Sequence, residues 1–337
     1  MSNPVLTDAI DRLAGGQDLA AADAARVLRE VMEGNASESE TAAFLIALRT
    51  KGETVHEIAG LAATMRELAL PVRVAGDLVD TAGTGGGRPT FNVSTTAAFI
   101  AAGAGCRVAK HGNRSATSQC GSADVLEALG ARIDLEPDAV AASIEEIGFG
   151  FMFAPKHHSA MRHVVSVRKA LGVRTIFNFL GPLTNPAGAR RQVIGVSDPA
   201  KLETLASALA ELGTESALVV SSADGLDEFS VSGTTRVVEL RDGGLSIYDV
   251  SPEQVGLEPA DDGAVAAGTP DLNARVLGDV LAGKPGTERS LAVMNAGAAI
   301  YVGGLAESIA AGVERAQESI DSGAAAGVLD AYLERAR

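Results

Sequence analysis

The chain has 337 residues, of which 46% are hydrophobic and 21% charged, a composition typical of a globular protein with a large core and not of a disordered chain. A net charge of −15 disfavours binding to nucleic acid or to an anionic membrane surface. The N-terminal segment lacks the basic and apolar regions of a signal peptide, and the two cysteines are too few for a disulfide framework, so we expect a cytoplasmic protein.

The first part of the chain predicts helices alone. Apolar residues recur at helical spacing in three segments, and the second and third segments each begin with a hydroxyl residue followed three positions later by glutamate, the pattern of a capping box. The predicted helices are residues 18–34, 37–52 and 54–70. Because no strand pattern interrupts them, we predict a small helical domain over residues 1–71.

From residue 77 onwards, short apolar strands alternate with helices. This alternation predicts an α/β domain over residues 72–337 with a mostly parallel central sheet that is covered by helices. The predicted strands are 77–80, 107–112, 191–198 and 215–222, with a hairpin over 236–250, and the predicted helices are 94–104, 122–130, 199–213, 271–283, 290–304 and a final helix reaching residue 337.

A glycine-rich loop follows the first predicted strand. The sequence GTGGG, Gly83 to Gly87, places four glycines around one threonine just before a helix that opens near Ser94 and Thr95. The spacing matches neither a Walker A sequence nor a dinucleotide-binding fingerprint. Bare backbone before a helix N-terminus, with Asn92 and the two hydroxyls as further donors, suits an anionic ligand. The alternative is a tight turn with Ser94 as a simple helix cap, and the loop alone leaves both interpretations open.

A basic loop follows the second strand. The sequence KHGNRS brings Lys110, His111 and Arg114 together in an acidic chain. By itself this segment is equally typical of a solvated turn. However, ligands of open α/β sheets bind beyond the carboxyl ends of the strands, where both loops are expected to lie. A glycine-rich and a cationic loop at neighbouring strand ends therefore favour an anion site.

Two adjacent carboxylates, Asp227 and Glu228, follow the strand that ends near residue 222. Neighbouring carboxylates repel each other unless a cation lies beside them. A hydrated Mg²⁺ bound to a diphosphate is a common partner for one or two such groups. The alternative is an acidic surface turn in a chain that carries 43 acidic residues.

These segments together resemble the anthranilate phosphoribosyltransferases, which have the nucleoside phosphorylase-like phosphoribosyltransferase fold. The resemblance rests on an ordered set of segments that covers the chain from about residue 10 to its C-terminus: GTGG (83–86), NVST (92–95), KHGNR (110–114), GSADVLEALG (121–130), VRKALGVRTIFNFLGPLTNPA (167–187), GLDE (225–228) and NAGAAIY (295–301). It implies transfer of a phosphoribosyl group from 5-phosphoribosyl 1-diphosphate (PRPP) to the amine of anthranilate, a step of tryptophan biosynthesis, with Mg²⁺ as cofactor. It also implies a homodimer formed through the helical domain, with the segment 165–185 packed against that domain.

The resemblance also implies a set of site residues. Lys110, Asn113 and Arg168 would be catalytic, with Asn113 and Arg168 contacting anthranilate and Arg168 pairing with its carboxylate. Ser94, Asp227 and Glu228 would bind Mg²⁺. His111 is expected only to shape the pocket. The full substrate-binding set would be Gly83, Gly86, Gly87, Thr90, Asn92, Val93, Ser94, Thr95, Lys110, His111, Gly112, Asn113, Arg114, Ser122 and Arg168.

The glycine loop departs from the family pattern. The family commonly has G-T-G-G-D, whereas this chain has Gly87 at the fifth position and a loop about one residue shorter, with Arg88 and Pro89 in it. Losing a hydrogen bond to a charged group typically costs about 1.5–3 kcal/mol. We therefore expect weaker PRPP binding or an altered Mg²⁺ dependence, which Arg88 would offset if it met phosphate directly. Asp80 lies too early in the strand to be expected to compensate.

Three other functions share parts of this pattern. A phosphoribosyltransferase with another aromatic amine as acceptor remains open, because Gly87 alters the loop. A non-catalytic relative that binds nucleic acid also remains as an alternative, although the net charge of −15 and the presence of Asn113 and Arg168 oppose it. The basic loop argues against a pyrimidine nucleoside phosphorylase, since KHGNRS does not match the K-x-S-G-R-G of that family.

Overall fold

The computed structural model describes residues 2–115, 119–261, 265 and 267–337. The N-terminal part forms four helices, one more than predicted. They are α1 (Pro4–Ala14), α2 (Ala21–Met32), α3 (Glu38–Lys51) and α4 (Val55–Glu67). The predicted capping boxes are present at the start of α3 and of α4, where they satisfy N–H groups that the first turn leaves without partners.

The helix that the sequence pattern did not predict is α1. Asn3 caps it, because its Oδ1 accepts the N–H groups of Val5 at 2.9 Å and Leu6 at 3.3 Å, and Pro4 suits the first helical position. An Asn-Pro pair is also a common turn signal. Leu6 and Leu13 are buried against the other helices, so the Asn-Pro pair starts a helix here and not a turn.

Seven strands form one sheet, in the order β3-β2-β1-β4-β5-β6-β7. The strands are β1 (Val79–Gly83), β2 (Val108–Gly112), β3 (Phe149–Phe153), β4 (Arg191–Gly195), β5 (Ser216–Ser222), β6 (Thr235–Arg241) and β7 (Gly244–Val250). Strands β1 to β5 pair in parallel, while β6 and β7 add the predicted antiparallel hairpin. The prediction of a mostly parallel sheet is confirmed.

Strand β3 and the helices that surround it were not predicted. Its sequence, FGFMF, is a short apolar run without alternation, because residues buried on both faces of a parallel sheet carry no polar side.

The predicted final helix is divided into two helices in the structure, since Gly323 has a left-handed φ of 78° between them. The helices after α4 are α5 (Val93–Gly103), α6 (Ser122–Ala128), α7 (Pro137–Ile147), α8 (Ala154–His157), α9 (Arg162–Leu171), α10 (Phe177–Leu183), α11 (Leu202–Glu211), α12 (Pro270–Leu281), α13 (Thr287–Val302), α14 (Ile309–Asp321) and α15 (Ala324–Arg335).

The two faces of the sheet are buried in two separate apolar cores. Along β5, Leu218 and Val220 belong to the core that contains α5 and α13, whereas Ala217 and Val219 belong to the core that contains α11. The second core also includes apolar side chains of α1 to α4, together with Val167 of α9 and Leu180 of α10. The helical N-terminal part is therefore joined to one face of the sheet through α9, α10 and α11.

The loops of interest lie at the C-terminal ends of the parallel strands. Because β1, β2, β4 and β5 are parallel, their carboxyl ends point in the same direction, and Gly83 at the end of β1 pairs with Gly195 at the end of β4. The glycine loop, the basic loop and the segment that carries Asp227 and Glu228 follow three of these strand ends, as ligand-binding loops do in open α/β sheets.

No helix in the described part of the chain is both long and apolar enough to cross a bilayer.

Candidate active site

The glycine loop is anchored at both strand ends beneath it. The Thr84 N–H group donates to the Gly195 carbonyl at 2.8 Å. Gly85 and Gly86 then adopt φ angles of +66° and +87°, which residues with a Cβ rarely adopt. The Gly85 N–H group donates to Oδ2 of Asp227 at 2.8 Å. The loop therefore turns the Gly85 backbone donor towards a carboxylate.

Asp227 is enclosed by glycines, and this explains much of the bare backbone. A Cβ placed on Gly83 would lie 2.8 Å from Asp227 Oδ2, and one on Gly87 would lie 2.6 Å from Oδ1 and 2.8 Å from the Asp227 nitrogen. A Cβ on Gly195 would lie 1.5 Å from the Asp227 carbonyl oxygen. In this loop conformation, position 87 has no room for the aspartate that the resemblance leads us to expect there.

The start of α5 does not use Ser94 as its cap. The helix begins at Val93 with Asn92 at the N-cap, and the Asn92 side chain makes no capping hydrogen bond. Instead, Asn92 Oδ1 accepts from the Asn273 side-chain amide at 2.9 Å and from the Cys120 thiol at 3.1 Å. The interpretation of Ser94 as a simple cap is therefore wrong. Its hydroxyl accepts from Lys110 Nζ at 3.3 Å.

Two other predicted residues at this helix start are buried. Val93 is 1% exposed and Thr95 is fully buried, and the Thr95 hydroxyl has no hydrogen-bond partner among the described residues. Neither side chain faces the loop surface, so only their backbone groups remain available to a ligand. Thr90 lies nearer the surface and donates from its hydroxyl to the Phe91 carbonyl at 3.0 Å.

Lys110 lies on β2, and its buried side chain reaches β1 and the first turn of α5. Its Nζ donates to the Thr81 carbonyl at 2.5 Å and to Ser94 Oγ. Burial lowers the pKa of Lys110, while the charges of Asp80 and Glu228 act in the opposite direction. The neighbouring carboxyl groups favour the charged form of Lys110, and pairing of this kind is the condition under which burial of a charge is tolerated.

Asp80 is part of a separate buried network. Its carboxylate accepts from the His111 N–H group at 3.2 Å and from the Asn185 side-chain amide at 2.7 Å. Asp80 is fully buried, and burial raises its pKa. Its hydrogen bonds run to the sheet and to Asn185, not to the glycine loop.

Asp227 and Glu228 have the electrostatic character of a cation site. Burial and the neighbouring Asp227 raise the pKa of Glu228 to about 8, against the opposing effects of Lys110 and the Ser94 N–H group. Burial also raises the pKa of Asp227. A cation bound between the two carboxylates would relieve both effects.

The donor set fits Mg²⁺ rather than a metal held entirely by the protein. Within the described ranges, no group of three or more His, Cys, Asp or Glu side chains could hold a metal ion. Mg²⁺ usually keeps several waters and binds through one or two carboxylates and substrate phosphates. The third predicted ligand, Ser94 Oγ, already accepts from Lys110.

The basic loop carries less free positive charge than its sequence suggests. Burial and the neighbouring histidines lower the pKa of His111 well below its ordinary value, and its Nδ1 lies 3.2 Å from the Gly181 carbonyl, so the ring is a neutral donor at pH 7. Arg114 pairs with Glu127 and with Asp124 of α6. The structure therefore does not bring the Arg114 guanidinium to the glycine loop, and the expectation of a cationic loop holds only for Lys110.

Three more predicted residues lie where the basic loop meets α6. The Asn113 carbonyl accepts the Ala123 N–H group at 3.2 Å, and Asn113 is exposed. Ser122 begins α6. A Cβ on Gly112 would lie 2.7 Å from the Phe151 ring, so this position requires glycine for packing. Gly112 is the last residue of β2, and Asn113 and the first turn of α6 adjoin it. The contacts of these three residues with substrate stay predictions.

Arg168 lies on α9, and its guanidinium stacks on Phe177, 5.5 Å from the ring centroid. Burial lowers its pKa. No carboxylate lies within ion-pair distance of Arg168 among the described residues. Phe177 begins α10, the helix whose Gly181 carbonyl receives His111. This guanidinium is thus available to an external carboxylate.

Two residues of the site were missed by sequence reasoning. Arg174 donates to the carbonyls of Gly85 at 2.9 Å and Thr84 at 3.3 Å, and Ser197 Oγ donates to the same Gly85 carbonyl at 3.0 Å. Both residues are separated from the loop by about 90 or more positions. No local pattern reports such contacts, so only their place after a helix or strand end could have drawn attention to them.

Comparison with known proteins places these observations in a family. Residues 75–326 match the family model described as "Glycosyl transferase family, a/b domain", and residues 7–69 match "Glycosyl transferase family, helical bundle domain". An anthranilate phosphoribosyltransferase of Rubrobacter xylanophilus is 52% identical over 335 residues, covering 99% of this chain and 98% of the relative.

Solved structures agree with the sequence matches. The anthranilate phosphoribosyltransferase of Thermus thermophilus superposes with a TM-score of 0.93 at 45% identity, covering 98% of this chain and 99% of that one. The Saccharomyces cerevisiae enzyme, in complex with PRPP and Mg, superposes with a TM-score of 0.89 at 28% identity, covering 99% and 98%.

Proposed function

We infer that this chain, which belongs to the anthranilate phosphoribosyltransferase family, transfers the phosphoribosyl group of PRPP to the amine of anthranilate and releases diphosphate. The observation that carries this inference is the convergence of the glycine loop, Lys110 and the Asp227–Glu228 pair at the C-terminal ends of the parallel strands. These groups provide backbone donors, a buried cation and a cation-binding pair, which together suit a magnesium diphosphate.

The glycine loop and Lys110 are proposed to bind PRPP, with Asp227 and Glu228 holding Mg²⁺. The yeast relative was solved with both PRPP and Mg, which supports Mg²⁺ as the cofactor. When bound, Mg²⁺ would stabilise the negative charge that develops on the departing diphosphate. Lys110 and the backbone N–H groups act on the same charge without reorganising, which is the usual basis of electrostatic catalysis. Among the other substrate-binding residues named from the sequence, Arg114 is paired with Asp124 and Glu127 of α6 and is not assigned to PRPP. The rest stay predictions.

Arg168 is proposed to bind the carboxylate of anthranilate. Its guanidinium has a stacking partner in Phe177 but no carboxylate partner among the described residues, and a bidentate carboxylate would supply one. Fixing the carboxylate orients the aromatic amine towards C1 of the ribose, and such positioning accounts for several kcal/mol of catalysis. His111 is held neutral and bonded to Gly181, so we assign it to pocket shape.

The test is loss of anthranilate fluorescence in the presence of PRPP and varied Mg²⁺. We expect loss only when all three components are present. Arg168→Ala and the double variant Asp227→Ala/Glu228→Ala should each abolish it, whereas Arg335→Ala, which removes an arginine paired with Glu146 of α7, should not. A folded protein that binds PRPP but consumes no anthranilate would favour another aromatic amine as acceptor.

We also propose that residues 1–71 and the segment 165–185 act as one helical domain and form the homodimer. The shared core of α1–α4 with Val167 and Phe177 supports the first part. Ile46 of α3 and Val165 of α9 are exposed apolar side chains, 36% and 56% accessible, on two helices that contact each other. Light scattering should give twice the chain mass, and Ile46→Glu/Val165→Glu should give a monomer.

A cytoplasmic location and the absence of nucleic-acid binding complete the proposal. Cys106 and Cys120 are both reduced thiols, which suits a reducing compartment, and a net charge of −15 opposes contact with phosphate backbones. Fractionation of cells that produce the protein, and gel-shift measurements with DNA and RNA, check these two points.

A further inference from the structure

We propose that Arg174 is a positioning residue for PRPP: it holds two carbonyl groups of the glycine loop and thereby turns the N–H groups of the same peptides towards the diphosphate. This inference rests on the proposed function. Arg174 does not need to touch the substrate, since it acts through Thr84 and Gly85.

The contacts of Arg174 define the outer side of the loop. Nη1 donates to the Gly85 carbonyl at 2.9 Å and Nη2 to the Thr84 carbonyl at 3.3 Å. Ser197 Oγ adds a third donor, 3.0 Å from the Gly85 carbonyl. Two consecutive peptide carbonyls are therefore fixed on the same side.

The geometry of the peptide bond then fixes the direction of the N–H groups on the opposite, inner side of the loop. The C=O of Thr84 and the N–H of Gly85 belong to one planar trans unit and point in opposite directions. With the carbonyl held by Arg174, the Gly85 N–H group points away from it and donates to Asp227 Oδ2 at 2.8 Å. The next peptide orients the Gly86 N–H group in the same way.

The carboxylate of Asp227 shows what this inner side recognises. It is an anion bonded to the Gly85 N–H group, so this side of the loop binds negative charge, and a phosphate oxygen of PRPP would take that place once Asp227 turns to Mg²⁺. A carbonyl that accepts from a guanidinium is polarised, which strengthens the N–H donor of the same peptide. Arg174 thus both orients and strengthens the donors.

Arg174 is itself held in place. Its guanidinium lies over the Phe179 ring, 5.7 Å from the centroid. A Cβ on Gly86 would lie 2.0 Å from Arg174 Nη1, so this contact requires glycine at position 86. Arg174 also lies between α9, which carries Arg168, and α10, and it connects the proposed acceptor-binding segment to the PRPP loop.

The experiment compares wild type, Arg174→Met, Arg174→Lys and Arg190→Met. Arg190 is the matched control, because its Nε donates to the Gly213 carbonyl at 3.0 Å at the opposite end of the sheet. Hydrogen exchange of the peptide containing residues 83–87 is measured without ligand. Kinetics are then measured with PRPP and anthranilate varied separately at saturating Mg²⁺.

We expect Arg174→Met to exchange the loop amides faster and to raise KM for PRPP about 10-fold, the equivalent of one charge-assisted hydrogen bond, with less than about a 2-fold change in KM for anthranilate. Arg174→Lys should recover part of both effects, and Arg190→Met should show neither. Unchanged loop exchange in Arg174→Met, or an unchanged KM for PRPP, overturns the inference while the wild-type activity stands. A wild-type protein that does not bind PRPP contradicts the proposed function itself.

Discussion

Protonation of His158 should weaken the native state as the pH falls. This side chain is 6% exposed, and its Nε2 lies 3.1 Å from the Thr184 carbonyl, so the buried ring is a neutral donor. Burial lowers the pKa of His158 from 6.5 to about 4. Below pH 6.5 the His158 ring is protonated in the unfolded chain but stays neutral in the native state. The free energy of unfolding therefore falls as the pH falls from 6.5 towards 4.

The size of the effect follows from the two pKa values. Between pH 7 and pH 5, a group with a pKa of 6.5 in the unfolded chain and about 4 in the native protein contributes a loss of about 2 kcal/mol in the free energy of unfolding. The pKa of His111 and of His157 is also lowered by burial and acts in the same direction. Glu228, whose pKa is raised to about 8, acts in the opposite direction, so the wild-type profile alone does not isolate His158.

Urea unfolding of wild type and His158→Gln at pH 7 and pH 5 isolates the contribution of His158 to the pH dependence of stability. The variant is expected to be less stable at pH 7 because it loses ring packing, but the difference from wild type should shrink by about 2 kcal/mol at pH 5. Val164→Ala, which removes buried apolar volume without a titratable group, should keep a constant difference from wild type. A His158→Gln difference that is equally large at both pH values would refute the reasoning.

Three further predictions concern the loop, the sheet and the thiols. Gly87→Ala should raise KM for PRPP about 10-fold, the equivalent of about 1.4 kcal/mol, because its Cβ would lie 2.6 Å from Asp227 Oδ1 and force the loop outward. Steady-state kinetics with an unchanged thermal midpoint would show this effect, and an unchanged KM would contradict it. Asn185→Ala should lower the free energy of unfolding by about 1–3 kcal/mol, because buried Asp80 loses its 2.7 Å donor; urea titration measures the loss, and a change below about 0.5 kcal/mol would oppose it. Cys106 and Cys120 should resist iodoacetamide at pH 7 in the native state and react after unfolding, because burial raises their pKa to about 12 and about 11; rapid native labelling detected by mass spectrometry would show the burial to be wrong.

The loop departure at Gly87 has a structural counterpart. The sequence predicted a missing contact to PRPP or Mg²⁺, and that effect stays a prediction. The structure adds that Gly87 packs against the backbone of residues 225–227, where a Cβ would meet the Gly225 carbonyl at 2.9 Å. Arg88 pairs with Asp224 at 2.8 Å, which connects the glycine loop to the segment that carries Asp227.

The local features of the fold were readable from the sequence because neighbouring residues determine them. The capping boxes before α3 and α4, the alternation of strands and helices and the turn at Asp242 and Gly243 all depend on contacts within a few positions. The position of the glycine loop between a strand and a helix is of the same kind. The ordered segments shared with a known family then indicated the reaction.

What the tertiary structure alone decided are the contacts between residues distant in the chain. The sequence shows Arg114 and His111 as cations, but α6 carboxylates neutralise the first and burial keeps the second uncharged. It shows Arg174 as one more arginine, although this residue holds the glycine loop from about 90 positions away. Burial, pairing and peptide orientation depend on which segments the fold brings together, because the electric field and the hydrogen-bond partners of a side chain come from its neighbours in space.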